Sequence, residues 1–134
     1  MSKINDRLPK ERRDRYTNFL QETDKPWCWA CGCTRPPRLW HAPFLIERAH
    51  IVNKPRMELR EVANLLCSLC HKVQGGDGTL GRPPITLANM VWIKMVRDPE
   101  YFSIEELNQY SVRRMPEPEE LEAFYLHSYH KLRS

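Results

Sequence analysis

The chain lacks a long hydrophobic run. Apolar residues make up 41% of its 134 residues, yet no apolar stretch approaches the roughly 20 consecutive residues of a membrane-spanning helix. The opening residues, Met1 to Asp6, contain no apolar segment typical of a secretory signal. Internal repeats and low-complexity tracts are also absent. We therefore expect a soluble, cytoplasmic protein with a single domain over 1–134 and no membrane partner.

A large excess of one charge is absent as well. Lysine and arginine total 21 against 17 acidic residues, a formal net charge of +4. This balance permits a nucleic-acid partner without requiring one. Basic residues cluster in a predicted N-terminal basic helix at about 9–21, where they could contact a phosphate backbone or form an ordinary solvated helix face. The candidates for nucleic-acid contact in this helix are Arg12, Arg13 and Arg15.

Structural disulfides are not expected in a reducing cytosol, so the cysteines need another explanation. Cys28 and Cys31 form one Cys-x-x-Cys pair, and Cys67 and Cys70 form a second. Two such pairs fill the four positions of a tetrahedral zinc ion, which leaves no water to activate and predicts a structural Zn²⁺. Cys33 could replace Cys31 as a ligand or remain a free thiol near the site.

The order of predicted elements is mixed. A metal-binding turn at about 27–37 precedes an extended segment at 39–52 and a short second strand at 64–69. Together with a helix opening at Cys70 or His71 and ended by the glycines of 75–78, these elements form a predicted core at about 27–76. A C-terminal helical extension at about 84–134 contains predicted helices at 86–97, from the capping box at 103–106, and from 118 onward.

Two stretches carry a family resemblance. They are Ala49-His50-Ile51-Val52, and Asn64-Leu65-Leu66 continuing through the second cysteine pair to His71. With the upstream Cys-x-x-Cys pair, the segment resembles the HNH endonuclease family. The resemblance implies an α+β fold, namely a zinc-clamped ββα-metal (HNH) core with additional N- and C-terminal helices. It also implies hydrolysis of DNA phosphodiester bonds, and a phage or restriction-like setting would suit such a protein.

The resemblance further implies roles for individual residues. His50 would be the general base that activates water, and His71 would bind a catalytic Mg²⁺ or Mn²⁺ ion. Asn64 would hold the loop around His50 or contact the ion. Arg48 shares a strand face with His50, so it could meet the scissile phosphate or be solvent-exposed.

Two positions depart from the family pattern. The family's asparagine usually stands about two residues upstream of Asn64, where this chain has Val62. Ala49 stands directly before the base histidine, where the family often carries a metal ligand. Glu47 is the nearest upstream acid and a candidate replacement ligand. In a regular strand its side chain shares a face with Ala49 and not with His50.

Two other functions fit the same residues. One is a non-catalytic four-cysteine zinc module that binds nucleic acid, for which Ala49 is the best argument. The other is a zinc-stabilised protein-interaction module that uses the C-terminal helices. A homodimer would suit double-strand cutting, but no motif indicates one.

Overall fold

The computed structural model describes residues 8–31, 46–52, 57–75, 84–111 and 114–116. Helices and a two-stranded sheet both occur within these ranges, which confirms the α+β class. The described elements, in chain order, are α1 (Lys10–Thr17), α2 (Phe19–Glu22), β1 (Ile46–His50), a 3₁₀ turn (Arg60–Val62), β2 (Ala63–Cys67), α3 (Ser68–Lys72), α4 (Leu87–Arg97), a second 3₁₀ turn (Pro99–Tyr101) and α5 (Ile104–Tyr110).

The predicted N-terminal helix is present but broken. Helices α1 and α2 meet at Asn18, whose backbone angles of φ −96° and ψ 20° interrupt the helical geometry. Tyr16 and Phe19 are buried, as their spacing predicts. The apolar residues Tyr16, Phe19 and Leu20 have the spacing of one helical face, which predicts that Leu20 is buried too, but it is 36% exposed. The break at Asn18 changes the helical phase, so Leu20 no longer follows the buried stripe.

Strands β1 and β2 form an antiparallel pair in which Ala49 lies opposite Asn64. The Ile51 amide donates to the Val62 carbonyl at 2.8 Å. Because bonded and non-bonded pairs alternate along an antiparallel ladder, the carbonyls of Ala63 and Leu65 point away from β1. This outward edge of β2 is covered from elsewhere in the chain.

The cover comes from two segments distant in sequence. The Trp29 amide donates to the Leu65 carbonyl at 2.8 Å, and the Lys94 ammonium donates to the Ala63 carbonyl at 3.0 Å. All five residues of β2 are buried. The second strand is therefore the centre of the core, with the cysteine-bearing turn and α4 packed beside it.

Helix α3 begins at Ser68, two residues before the earliest predicted start at Cys70. The reason is a cap supplied by Cys67, whose sulfur accepts the Cys70 amide hydrogen at 3.5 Å. After the helix, Gly75 adopts a φ of 71°, a conformation that L side chains rarely take. The chain turns there as predicted, and the Gly75 amide then donates to the Ile85 carbonyl. The rest of the predicted glycine-rich turn lies outside the described residues.

Helix α4 carries a lysine among apolar residues. Lys94 is 0% exposed, and its ammonium donates to the carbonyls of Arg60 and Ala63 and to Asp98, the last at 2.7 Å. Arg60 donates twice to the same carboxylate, at 3.1 and 2.9 Å. Burial lowers the pKa of Lys94 to about 8. Burial alone would raise the pKa of Asp98, but hydrogen bonds from Arg60 and the charge of Lys94 lower it.

The C-terminal part of the described chain is helical, as predicted. Thr86 and Asn89 form a capping box at the start of α4, and the Ser103 hydroxyl accepts the Glu106 amide hydrogen at the start of α5. The helix predicted from 118 onward lies outside the described residues. No helix in the described part is long and apolar enough to cross a membrane.

Candidate metal centre and neighbouring polar site

The four predicted zinc ligands come together. The sulfur atoms of Cys28, Cys31, Cys67 and Cys70 all lie within 4.8 Å of one another, and the sulfurs of Cys31 and Cys67 are 3.9 Å apart. In a tetrahedral zinc site with Zn–S bonds of about 2.3 Å, sulfur atoms are separated by about 3.8 Å. The cluster therefore has the donor set and size for a structural zinc ion.

Backbone N–H groups point at two of these four sulfurs. The Cys31 amide donates to the sulfur of Cys28 at 3.5 Å, and the Cys70 amide makes the same bond to Cys67. Each Cys-x-x-Cys turn thus directs an N–H group at its own first sulfur, which favours the charged form. The two turns face each other because Trp29 is bonded to the Leu65 carbonyl.

Four thiols in so small a volume cannot all ionise without a cation. Hydrogen bonding to Cys31 raises the pKa of Cys28, and hydrogen bonding to Cys28 raises that of Cys70. Hydrogen bonding from Cys28 lowers the pKa of Cys67 to about 6. These four cysteines form no disulfide bonds. A doubly charged ion at the centre would replace these shared protons. Cys33 lies outside the described residues.

A second group of polar side chains lies next to this cluster. Oε1 of Glu47, on β1, is 2.9 Å from Nδ1 of His71, on α3. Their side chains are 36% and 38% exposed, so solvent reaches the pair. Since His71 directly follows Cys70, the cysteine cluster lies at the start of the helix that carries it. Two side chains singled out in the sequence thus meet across the hairpin and α3.

His50 lies at the other end of the strand pair. Its Nε2 atom is 3.1 Å from the Met57 carbonyl oxygen and 3.4 Å from the Tyr16 hydroxyl. A carbonyl can only accept, so the bond to Met57 requires the proton on Nε2. In the neutral ring, Nδ1 is then the atom able to take up a proton. The backbone carbonyl of His50 accepts a bond from Gln74 at 2.7 Å.

His50 and the Glu47–His71 pair occupy opposite faces of β1. Residues three apart in an extended strand point in opposite directions. The contacts agree, since Arg48 and His50 both meet Tyr16, whereas Glu47 meets His71. Glu47 therefore lies on the strand face expected for it in a regular strand, opposite to that of His50.

Asn64 is fully buried on the central strand. Its amide nitrogen donates to the Met90 carbonyl at 2.8 Å, which joins β2 to α4. The amide oxygen is buried without a hydrogen-bond partner among the described residues. Asn64 therefore contributes to the packing of the hairpin on α4.

The candidate DNA-contacting arginines differ in how much charge they present. Arg12 lies within 3.2 Å of carboxylate oxygens of both Glu61 and Glu106, so its charge is neutralised within the fold. Arg15 pairs with Glu11 one turn away. Arg13 is half-buried.

Arg48 is exposed, and its guanidinium forms hydrogen bonds to backbone carbonyls of α1. It donates to the carbonyls of Tyr16 and Thr17 at 3.1 and 3.2 Å. Of the four arginines, Arg48 lies nearest to His50 in the sequence and on the same strand face.

Sequence patterns did not indicate two contributors to the site. Met57 and Tyr16 contact His50. Both lie in segments whose apolar residues predict only packing in the hydrophobic core. The buried Lys94 cluster was also unexpected, although a lysine within an apolar helix and an aspartate four residues later would have been the pattern to notice.

Comparison with known proteins adds no family assignment. No family model, no curated protein and no solved structure matches this chain. The function must therefore be inferred from the residues and their geometry.

Proposed function

We propose that the protein is an HNH-type endonuclease that hydrolyses DNA phosphodiester bonds with the help of a divalent ion. The observation that carries the proposal is the placement of Glu47 beside His71 on the strand that also bears His50. Ala49 offers no ligand atom at the position where the HNH resemblance implies one. Glu47 supplies a carboxylate two residues earlier and meets the histidine of α3.

Zinc has a structural role in this proposal. The ion would be held by the two Cys-x-x-Cys turns, which join residues 28–31 to the end of β2 and the start of α3. With four sulfur ligands it has no open position for water or substrate. Cys67 and Cys70, at the start of α3, would tie this helix, and hence His71, to the turn at residues 28–31 when the ion is bound.

His50 acts as the general base. The Met57 carbonyl holds the proton on Nε2, so Nδ1 is the nitrogen that accepts a proton from the attacking water. An imidazole suits this task because its ordinary pKa lies near neutral pH.

Glu47 and His71 would hold the catalytic ion, Mg²⁺ or Mn²⁺. A carboxylate oxygen and an imidazole nitrogen form a donor set that Mn²⁺ accepts readily, and Mg²⁺ sites in nucleases commonly use few protein ligands with phosphate oxygens and water completing the shell. When bound, the ion would stabilise the negative charge that develops on the phosphate and the leaving 3′ oxygen.

The facing of the side chains sets where the substrate lies. Since His50 and the Glu47–His71 pair are on opposite faces of β1, a phosphate within reach of both would lie at the edge of β1 that is not paired with β2. Arg48, exposed on this strand, is the arginine best placed to meet the DNA backbone there.

Cleavage of supercoiled plasmid by the zinc-loaded protein tests the proposal. We expect nicking or linearisation with added Mg²⁺ or Mn²⁺ and none with EDTA. His50→Ala, Glu47→Ala and His71→Ala should each remove most of the activity. Gln109→Ala, an exposed change on α5, is the control and should cut like the parent protein.

The pattern of losses separates base from ligands. His50→Ala should bind Mn²⁺ as the parent does and yet fail to cut, whereas His71→Ala should lose both properties. Cutting that survives in the His50→Ala protein would contradict the assignment of the base.

A second candidate function is a zinc module that binds DNA without cutting it. The observation that favours it is Ala49, which is 0% exposed and provides no ligand beside His50. Such a module would retard DNA on a gel, with or without Mg²⁺, and His50→Ala would bind equally well. A protein-interaction module would neither retard DNA nor cut it.

A further inference from the structure

The N-terminal helix reaches the side chain that the proposed function assigns as the base. Tyr16, the buried residue of α1, has its ring centroid 5.7 Å from that of His50, with the two planes inclined at 38°. Its hydroxyl oxygen lies 3.4 Å from Nε2. This distance is long for a hydrogen bond, but contacts around a catalytic base commonly tighten when substrate binds.

Tyr16 is itself held from the strand. Arg48 donates to the carbonyls of Tyr16 and Thr17 at 3.1 and 3.2 Å, which satisfies backbone groups at the C-terminal end of α1. Its guanidinium carbon also lies 4.6 Å from the centre of the Tyr16 ring. The tyrosine is only 9% exposed. Arg48 and His50, two residues apart on one face of β1, therefore both contact Tyr16.

We propose that Tyr16 is a positioning residue for His50, with its hydroxyl and the Met57 carbonyl together holding Nε2–H. The hydroxyl oxygen accepts a share of the same N–H that the carbonyl accepts, as in a three-centre bond. The aromatic ring limits rotation of the imidazole about χ2. Together they fix one tautomer and one orientation, which leaves Nδ1 to act as the base.

The catalytic part of this proposal rests on the proposed nuclease function, but the conformational part does not. Nitrogen-15 NMR of the zinc-loaded protein reports the tautomer of His50 directly, whether or not the protein cuts DNA. In the parent protein we expect a single neutral form with the proton on Nε2. Tyr16→Phe keeps the ring and the bond to Met57 but removes one of the two acceptors of Nε2–H, so we expect the Nε2–H form to remain the major one and the Nδ1–H form to appear beside it.

Kinetics supply the second measurement. Loss of one orienting contact should lower kcat for plasmid cleavage about ten- to a hundredfold while KM stays within about twofold, because orientation and not DNA binding is affected. Tyr110→Phe makes the same chemical change on a half-buried tyrosine of α5 and should alter neither the spectrum nor kcat. Tyr16→Leu also removes the ring and should be worse than Tyr16→Phe.

The outcomes distinguish the two proposals. A Tyr16→Phe protein with the parent's single tautomer and the parent's kcat would overturn the positioning role. If the parent does not cut DNA, the nuclease proposal fails, and the tautomer spectra alone decide the role of Tyr16. A mixed spectrum in Tyr16→Phe beside a single form in Tyr110→Phe would support it.

Discussion

Replacing Lys94 by methionine tests the buried ion cluster that holds the start of β2. Methionine is apolar and of similar length, so the change removes the ammonium without opening a large cavity. It leaves the carbonyls of Arg60 and Ala63 without this donor, and each unsatisfied buried group costs about 1–3 kcal/mol.

A second term acts in the opposite direction. Burial lowers the pKa of Lys94 from 10.5 to about 8, which corresponds to about 3 kcal/mol of net cost for keeping the charge inside the protein. Lys94→Met no longer carries that cost, so we expect the free energy of unfolding at pH 7 to fall by no more than about 3 kcal/mol.

Asp98→Asn is the matched comparison. It leaves two buried cations, Lys94 and Arg60, without their shared carboxylate. Removing one partner from a buried ion pair costs about 3–5 kcal/mol, so Asp98→Asn should be the more damaging change. Urea unfolding of the zinc-loaded proteins, followed by circular dichroism, gives both values. A Lys94→Met protein as unstable as Asp98→Asn would refute the reasoning.

The same lysine predicts a pH effect with a definite sign. Between pH 8 and about 10.4, the ordinary lysine pKa, the unfolded chain binds a proton at Lys94 that the folded chain has lost. Stability contributed by this site therefore rises with pH in that window. Subtracting the Lys94→Met curve from the parent curve isolates this rise, and a flat difference would contradict it.

Three further predictions concern the metal cluster, acid stability and the central strand. Removing zinc should unfold the protein, because the binding of structural zinc contributes about 10–16 kcal/mol to folding, whereas the free energy of unfolding of a whole domain is about 5–15 kcal/mol. An unchanged thermal melt after verified zinc loss would disprove this. The folded pKa of Asp98 is lowered, so its stabilisation is present above the unfolded pKa of about 3.9 and is lost as pH falls through the folded value. Acid titration of Asp98→Asn should accordingly show a shallower loss than the parent, and superimposable curves would count against it. Asn64→Leu loses one bond to Met90 and removes one unpartnered buried oxygen. Its free energy of unfolding, measured with urea, should therefore change by less than about 1 kcal/mol. A larger change would show that the amide oxygen has a partner.

The parts of the structure that could be predicted are those with local causes. A Cys-x-x-Cys turn places two sulfurs side by side through its own backbone, so the spacing of Cys28 with Cys31 and of Cys67 with Cys70 was enough to predict the cluster. The starts of α4 and α5 depend on side chains within three residues of the cap. The spacing of apolar residues did not reveal the break at Asn18. The single helix predicted at 9–21 is therefore two helices, and Leu20 is exposed where the pattern predicts burial.

Contacts between distant segments followed no local rule. The meeting of Glu47 with His71 depends on the register of the hairpin and on the direction in which the cysteines start α3. The contact of Tyr16 with His50 joins residues 34 apart, and neither residue type indicates the other.

The sequence by itself determined the mixed fold class, the clustering of the four cysteines and the Ser103 cap of α5. It did so because each depends on spacing over a few residues. Only the tertiary structure decided that Lys94 is buried against Asp98, that Glu47 contacts His71, and that α1 reaches His50. The burial of Lys94 depends on the outer edge of β2, where the buried Ala63 carbonyl needs a donor and Lys94 supplies it. The other two contacts depend on which side chains the hairpin and its neighbouring helices bring together, and spacing along the chain does not encode that.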